Sequence, residues 1–289
     1  MTTESHILAC IDGSAVTQSV CSYAAWYASR LNISVALLNV VDIPVSSRRD
    51  LSGTIGIDSR QILLEELALL DEQRAKVNNN YSNALIEDAK SHIANSANNT
   101  TIKVKAYRRR GKLLPAIEHF RDKNRAIVLG RRGEDHQNDR VNIGSQIETV
   151  TRASNKPILI CSEQFKAPTS YMIAFDGSKT AIKAVEMVAN SALLKGLQGH
   201  IVMLNRNNDT AKNSLAEVTE QLISAGFTVT AHSLSDSDVV EGLLKFQTAH
   251  AIGLIVIGAY GHSKFQQLFI GSTTTKLITK TLSPILLLR

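Results

Sequence analysis

Short runs of valine, isoleucine, leucine and alanine alternate along this chain with longer stretches in which apolar residues recur every three or four positions. The short runs predict strands at 6–11, 33–41, 102–107, 125–130 and 157–161, and again at 171–175, 199–205, 227–233, 252–257 and 284–288. The longer stretches predict helices at about 15–31, 58–96, 112–122 and 145–154, and at about 179–195, 210–225, 238–249 and 272–281. Val16, Val20, Ala24, Ala28 and Leu31 illustrate the helical spacing. The apolar runs lack polar alternation, which indicates strands buried on both faces, as in a parallel sheet. Strands alternating with helices give right-handed βαβ units and a doubly wound α/β fold. Pro115 falls in the first turn of its helix, where a missing N–H costs little, and Pro157 and Pro284 each open a last strand.

The pattern occurs twice. HILACIDGS at 6–14 matches YMIAFDGS at 171–178, and AIVLGRRGEDHQNDRVNIGS at 126–145 matches GLIVIGAYGHSKFQQLFIGS at 253–272. SNKPILIC at 154–161 then matches TLSPILLL at 281–288. Three landmarks in a fixed order, repeated once, predict a tandem duplication: a first domain over 1–165 and a second over 169–289, joined by a short linker at about Glu163–Ser170 that holds Pro168. The first half carries 36 extra residues between its landmarks, mostly at about 43–80. This insertion reads as a loop continuing into a polar helix, a surface addition that could also serve as a lid or partner surface.

Composition narrows the function classes. A 289-residue chain with 44% apolar residues suits two ordinary globular cores. No apolar stretch approaches the ~18 residues that span a bilayer, and MTTESHILACIDGS lacks the basic region and apolar core of a signal peptide. The expectation is a cytoplasmic protein. Cys10, Cys21 and Cys161 fit neither a disulfide framework nor a metal site and read as buried residues in a reducing compartment. The net charge of +6 divides evenly, with 21 basic and 18 acidic residues up to position 165 and 11 and 8 beyond it. A mild, evenly spread excess argues against a nucleic-acid face and is compatible with a small anionic ligand.

The candidate chemistry lies at the strand ends. Gly258, Gly261 and Gly271 are spaced G-x2-G-x9-G and are followed by Ser272, Thr273, Thr274 and Thr275. Glycines after a strand let backbone N–H groups approach a ligand, and a helix opening at 271–275 offers free N–H groups to an anion. A glycine turn with a serine helix cap explains the same residues without a ligand. Asp12 and Asp176 end the first strand of each half within Asp-Gly-Ser and suit either ribose or adenine contacts or a tight turn. With strand order 3-2-1-4-5, the first and fourth strands flank a topological switch point, and the two motifs converge on one crevice.

On these residues the chain resembles a tandem universal stress protein. Gly258, Gly261, Gly271 and Ser272 fit the glycine spacing of the ATP-binding branch of that family, and the resemblance covers both halves. It implies two five-stranded parallel sheets, order 3-2-1-4-5, with helices on both faces and dimer-like pairing through the last strand. That pairing is satisfied inside the chain or in a further homodimer. It also implies ATP, with magnesium as its companion cation. Asp176 and Gly177 would contact the nucleoside and the backbone near Asn205 and Arg206 the adenine. Gly258, Gly261, Gly271, Ser272 and Thr273 would hold the phosphates.

The first half departs from that pattern. Its counterparts are Asp12, Val40, Gly130, Arg131, Gly133, Gly144 and Ser145, with ten residues instead of nine before Gly144. Glu134, Asp135 and Asp139 enter the loop, Gln146 and Glu148 replace threonines, and Arg131 and Arg132 are available to compensate. The expectation is a division of labour, with nucleotide mainly in the second half. Arg108, Arg109, Arg110 and Lys112 follow the third strand and read as a solvated loop or as recruiters of a polyphosphate.

The phosphate loop with its lysine, the dinucleotide fingerprint, the pyrophosphatase loop and the nucleophile elbow are all missing. The eight histidines are scattered, and His136, His232 and His262 read as exposed loop residues and not as bases or metal ligands. Three readings follow: an ATP-binding stress protein that signals through loop ordering without chemistry, a slow ATP hydrolase with Asp176 as its base, or a nucleotide-free dimerisation scaffold.

Overall fold

The computed structural model describes residues 5–41, 57–96, 102–131, 145–204, 209–236, 238–258 and 272–289. The first half runs β1 (His6–Ile11), α1 (Thr17–Leu31), β2 (Ser34–Val41), α2 (Ile57–Ser96), β3 (Val104–Arg110), α3 (Leu113–Glu118), β4 (Asn124–Gly130), α4 (Ser145–Ala153) and β5 (Ile158–Cys161). The second runs β6 (Ser170–Ala174), α5 (Lys179–Ala189), β7 (Gln198–Leu204), α6 (Asp209–Ser224), β8 (Thr228–Leu234), α7 (Val239–Ala249), β9 (Leu254–Gly258), α8 (Ser272–Lys280) and β10 (Ile285–Leu288).

Each half has the expected strand order, but the two sheets are one. The order is β3-β2-β1-β4-β5-β10-β9-β6-β7-β8, continuous over ten strands. All pairings within a half are parallel. β5 and β10 meet antiparallel, with Ile160 opposite Ile285, Leu159 opposite Leu286 and Ile158 opposite Leu287. Both strands are fully buried, so the seam is core and not an edge. A last strand this apolar, left unpaired, would be an exposed template for association.

Helices cover both faces. Buried residues of α1, α2, α5 and α6 form one core, including Val20, Ile93, Val185 and Leu222. Those of α3, α4, α7 and α8 form the other, including Ile117, Val150, Leu243 and Leu277. The insertion contributes most of α2, a helix of 40 residues and therefore about 60 Å long. Its last turns pack on α1, with Ile86, Ala89 and Ile93 buried and Ser22 Oγ 2.7 Å from His92 Nε2. Residues 65–74 along its first half are exposed.

Two sequence expectations change. β3 extends to Arg110, so Arg108–Arg110 belong to the strand and do not follow it. Helix α5 stops at Ala189 with Asn190 as its C-cap, and turns follow up to Gly196, at a positive φ of 76°, before β7.

Arginines and the linker tie the halves together. Arg131, which follows β4, is buried, and its guanidinium donates to the carbonyls of Thr281 and, at 2.8 Å, Ser283, just past α8. Arg289, which follows β10, donates to the carbonyls of Ser154 and, at 3.3 Å, Arg152 at the end of α4. Arg30 of α1 donates to the carbonyls of Leu193, at 2.8 Å, and Lys195. Carbonyls at a helix end lack intrahelical partners and carry partial negative charge, so a cation there satisfies both needs. Ser19 Oγ donates to the Ser162 carbonyl at 2.7 Å and Tyr23 OH lies 2.9 Å from Ser162 Oγ, which anchors the start of the linker on α1.

Replacing Arg131 with alanine removes charge-assisted bonds from a buried site and is expected to lower unfolding free energy by about 2–3 kcal/mol. Urea denaturation checks this; an unchanged midpoint would mean that the clamp contributes nothing.

Candidate functional site

In each half the sheet order reverses beside the first strand, which leaves a crevice at the carboxyl ends of the two strands flanking that point. β6 lies between β7 and β9, so Asp176 after β6 and Gly258 at the end of β9 stand on either side of one crevice. β1 lies between β2 and β4, so Asp12 and Gly130 flank the other. Because β5 and β10 run antiparallel, the two crevices open on opposite edges of the ten-stranded sheet.

The Asp-Gly-Ser turns share a backbone. Gly13 has φ 85° and Gly177 φ 74°, a left-handed conformation that glycine adopts without a Cβ penalty. In both, the aspartate Oδ1 accepts from the serine N–H two residues on, at 3.0 Å for Asp12 and 2.9 Å for Asp176. Ser178 then caps α5 by accepting from Ala181 N–H at 3.2 Å.

The surroundings of the turns differ. Asp176 is exposed, and among the described residues no atom lies within 4 Å of where a Cβ on Gly177 would stand. Asp12 is half-buried, and its Oδ1 also accepts from Ser14 Oγ at 2.6 Å and Thr17 Oγ1 at 3.4 Å. At Gly13 the hydroxyl of Tyr81 stands 1.9 Å from the position of a Cβ. Tyr81 comes from α2, so the inserted helix lays a ring against the first turn, and among the described residues no ring lies at the second.

The remaining candidates sort as follows. Gly258 has a packing reason to be glycine, since a Cβ there would stand 2.5 Å from the Thr180 carbonyl oxygen and 2.9 Å from Ala181 Cα in the first turn of α5. Its lack of a side chain thus lets α5 start close over β9. Ser272 and Thr273 open α8, which has no acidic residue in its first turn, whereas Ser145 opens α4, which has Glu148. Glu148 pairs with Arg152 on the same helix. A carboxylate at a helix N-terminus competes with an anionic ligand for the same partial positive charge.

Val40 lies near the end of β2, half-buried against the core, and Gly130 ends β4 half-buried. Arg131 does not face the first crevice: its guanidinium is committed across the seam to the end of α8. Asn205, Arg206, Gly261, Gly271, Gly133 and Gly144 lie outside the described residues, as do Arg132, Glu134, Asp135 and Asp139.

The basic cluster has local partners. Arg108 donates to the Asn79 carbonyl and to Asn83 Oδ1, both at 3.4 Å, which docks α2 on β3. Arg109 sits 5.6 Å above the Phe120 ring.

A family model described as the universal stress protein family matches residues 4–162 and again 171–289. The chain belongs to the universal stress protein family. The universal stress protein Slr1230 of Synechocystis is 32% identical over 289 residues, 98% of this chain and 99% of that protein. A universal stress protein from Archaeoglobus fulgidus has the same fold over 99% of this chain and 97% of its own, with TM-score 0.70 at 18% identity. A putative universal stress protein from Pseudomonas aeruginosa covers 99% and 93%, with TM-score 0.60 at 14% identity. Among the described residues no helix is long and apolar enough to cross a membrane.

The structure brings together side chains of this universal stress protein that spacing alone does not connect. His200 on β7, His232 on β8 and His250 after α7 form a cluster, with ring centroids 5.2 to 5.7 Å apart. His200 Nδ1 lies 3.1 Å from His232 Nε2, and His250 stacks on Phe246 at 3.9 Å. His232 is therefore a half-buried strand residue and not a loop residue. Among the described residues no group of three or more such side chains is placed to hold a metal ion. The thiols read as inert: Cys10, Cys21 and Cys161 are unpaired, and burial pushes Cys21 up to about 12.

Burial, then the charge of neighbouring histidines, lowers the pKa of His200 and His232. The unfolded chain binds protons at these rings more readily than the folded one. Their contribution to stability is complete above about pH 6.5 and is lost as pH falls through the lowered folded values. The thermal midpoint is expected to fall between about pH 7 and 5, and less steeply in His232→Phe. Thermal melts across that range check it; identical slopes would remove the cluster as the cause.

Proposed function

We propose that this universal stress protein binds an adenine nucleotide, ATP with its magnesium, in the second-half crevice, and acts by binding and not by chemistry. The single observation that carries the choice of crevice is the contrast between the two Asp-Gly-Ser turns. Asp176 is exposed and, among the described residues, nothing stands at Gly177, whereas Tyr81 lies against Gly13. Further support comes from the switch point beside β6 and β9 that strand order creates, and from a helix α8 that starts with hydroxyl residues and no acid.

In this reading Asp176 and Gly177 meet the nucleoside and the backbone near Asn205 and Arg206 meets the base. Gly258, Gly261, Gly271, Ser272 and Thr273 surround the phosphates. Backbone N–H groups are the natural partners for phosphate oxygens at such a helix start. Binding holds the segment bracketed by Gly261 and Gly271, and that ordering is what a partner reads, in a chain that acts in the cytoplasm. Asp176 is the sole carboxylate of the set, and its Oδ1 already accepts from Ser178, so the arrangement suits retention of a nucleotide better than activation of water.

Gly261→Val is expected to weaken ATP binding by at least tenfold, about 1.4 kcal/mol or more, with the fold retained by circular dichroism. Calorimetric titration of ATP into both proteins checks this. Equal affinity in the folded variant would place the nucleotide elsewhere or nowhere.

A further inference from the structure

A cavity of about 370 Å³ lies across the seam between the halves, on the face carrying α1 and α5. Both halves build it. Tyr27 comes from α1, Asn124 and Arg125 open β4, Lys156 precedes β5, Lys183 and Glu186 come from α5, and Leu286 and Leu288 belong to β10. None of these residues belongs to either nucleotide crevice. The cavity exists because β5 and β10 pair, which sets the start of β4 beside α5. Arg30, next to the lining residue Leu31, donates from α1 to the carbonyl of Leu193, which also lines the cavity.

Its volume lies within the range of sites that enclose a small organic molecule. Its lining has two characters. Tyr27, Leu286 and Leu288 are buried and apolar. Arg125, Lys156 and Lys183 set three cations around it against the single carboxylate of Glu186. None of the three cations appears in a salt bridge of the described residues.

We propose that this seam cavity is a binding site for a small organic anion with an apolar body. Arg125, Lys156 and Lys183 take its carboxylate or phosphate, and Leu286 and Leu288 border its apolar part. Occupancy bridges the halves, because the ligand touches α1 and β4 on one side and α5 and β10 on the other. The site is independent of the nucleotide reading and shares no residue with it.

The test uses the full chain and N-acetyl-L-phenylalanine, which has a carboxylate, an apolar ring and an amide. Its methyl ester is the neutral control. Saturation-transfer NMR is expected to show binding with Kd on the order of 1 mM, as suits a ligand of this size. The ester, and the acid on Lys156→Ala/Lys183→Ala, are expected to bind about tenfold more weakly or less. Lys183 is exposed and Lys156 half-buried, neither in the core, and retention of the fold is checked by circular dichroism.

No saturation up to about 20 mM, or equal binding by acid and ester, or equal binding by the variant and the parent chain, overturns the proposal.

Discussion

The antiparallel pairing of β5 with β10 is the contact on which the rest of the structure depends. Three facing pairs of isoleucine and leucine join two five-stranded sheets into one. The pairing removes an apolar edge from each half, which alone would be exposed to association. It also sets the geometry of everything else. The crevices point to opposite edges, the arginines 131 and 289 reach the helix ends of the other half, and the seam cavity forms between α1 and α5.

Duplication supplied two copies of one crevice, and the structure shows how they diverged. The backbone of the Asp-Gly-Ser turn is retained in both, down to the positive φ of its glycine. What changed is the surroundings. The insertion lengthened α2, and Tyr81 from that helix now lies at Gly13. Arg131, which stands next to the first crevice in sequence, serves the seam instead. Glu148 sits in the first turn of α4, where α8 has hydroxyl residues. These changes all act on the first half, which is why we assign the nucleotide to the second.

Much of the fold was legible because it is encoded locally. Apolar runs and helical spacing placed every strand and helix, though α3 and α5 end several residues earlier than expected, and the repeat together with βαβ alternation implied the strand order. The Asp-Gly-Ser turns were legible for the same reason, since their hydrogen bonds span two residues. The rest depends on contacts distant in sequence. His200 and His232 are neighbours only because β7 pairs with β8 in a register that sets His200 opposite Thr230, which leaves His232 on the same face two residues along. Tyr81 reaches Gly13 across 68 residues, and no periodicity announces it. Gly258 illustrates a different limit: spacing marks it as a phosphate glycine, while packing against Thr180 and Ala181 already requires it.

The central claim is that one chain with two copies of a crevice keeps one of them open for a nucleotide. Its most direct test is the stoichiometry of ATP bound by the full chain, read by isothermal titration of nucleotide-free protein. The account predicts one ATP per chain. Two equivalent sites would contradict it by showing that Tyr81 and Glu148 do not close the first crevice, and no binding at all would contradict the nucleotide reading itself.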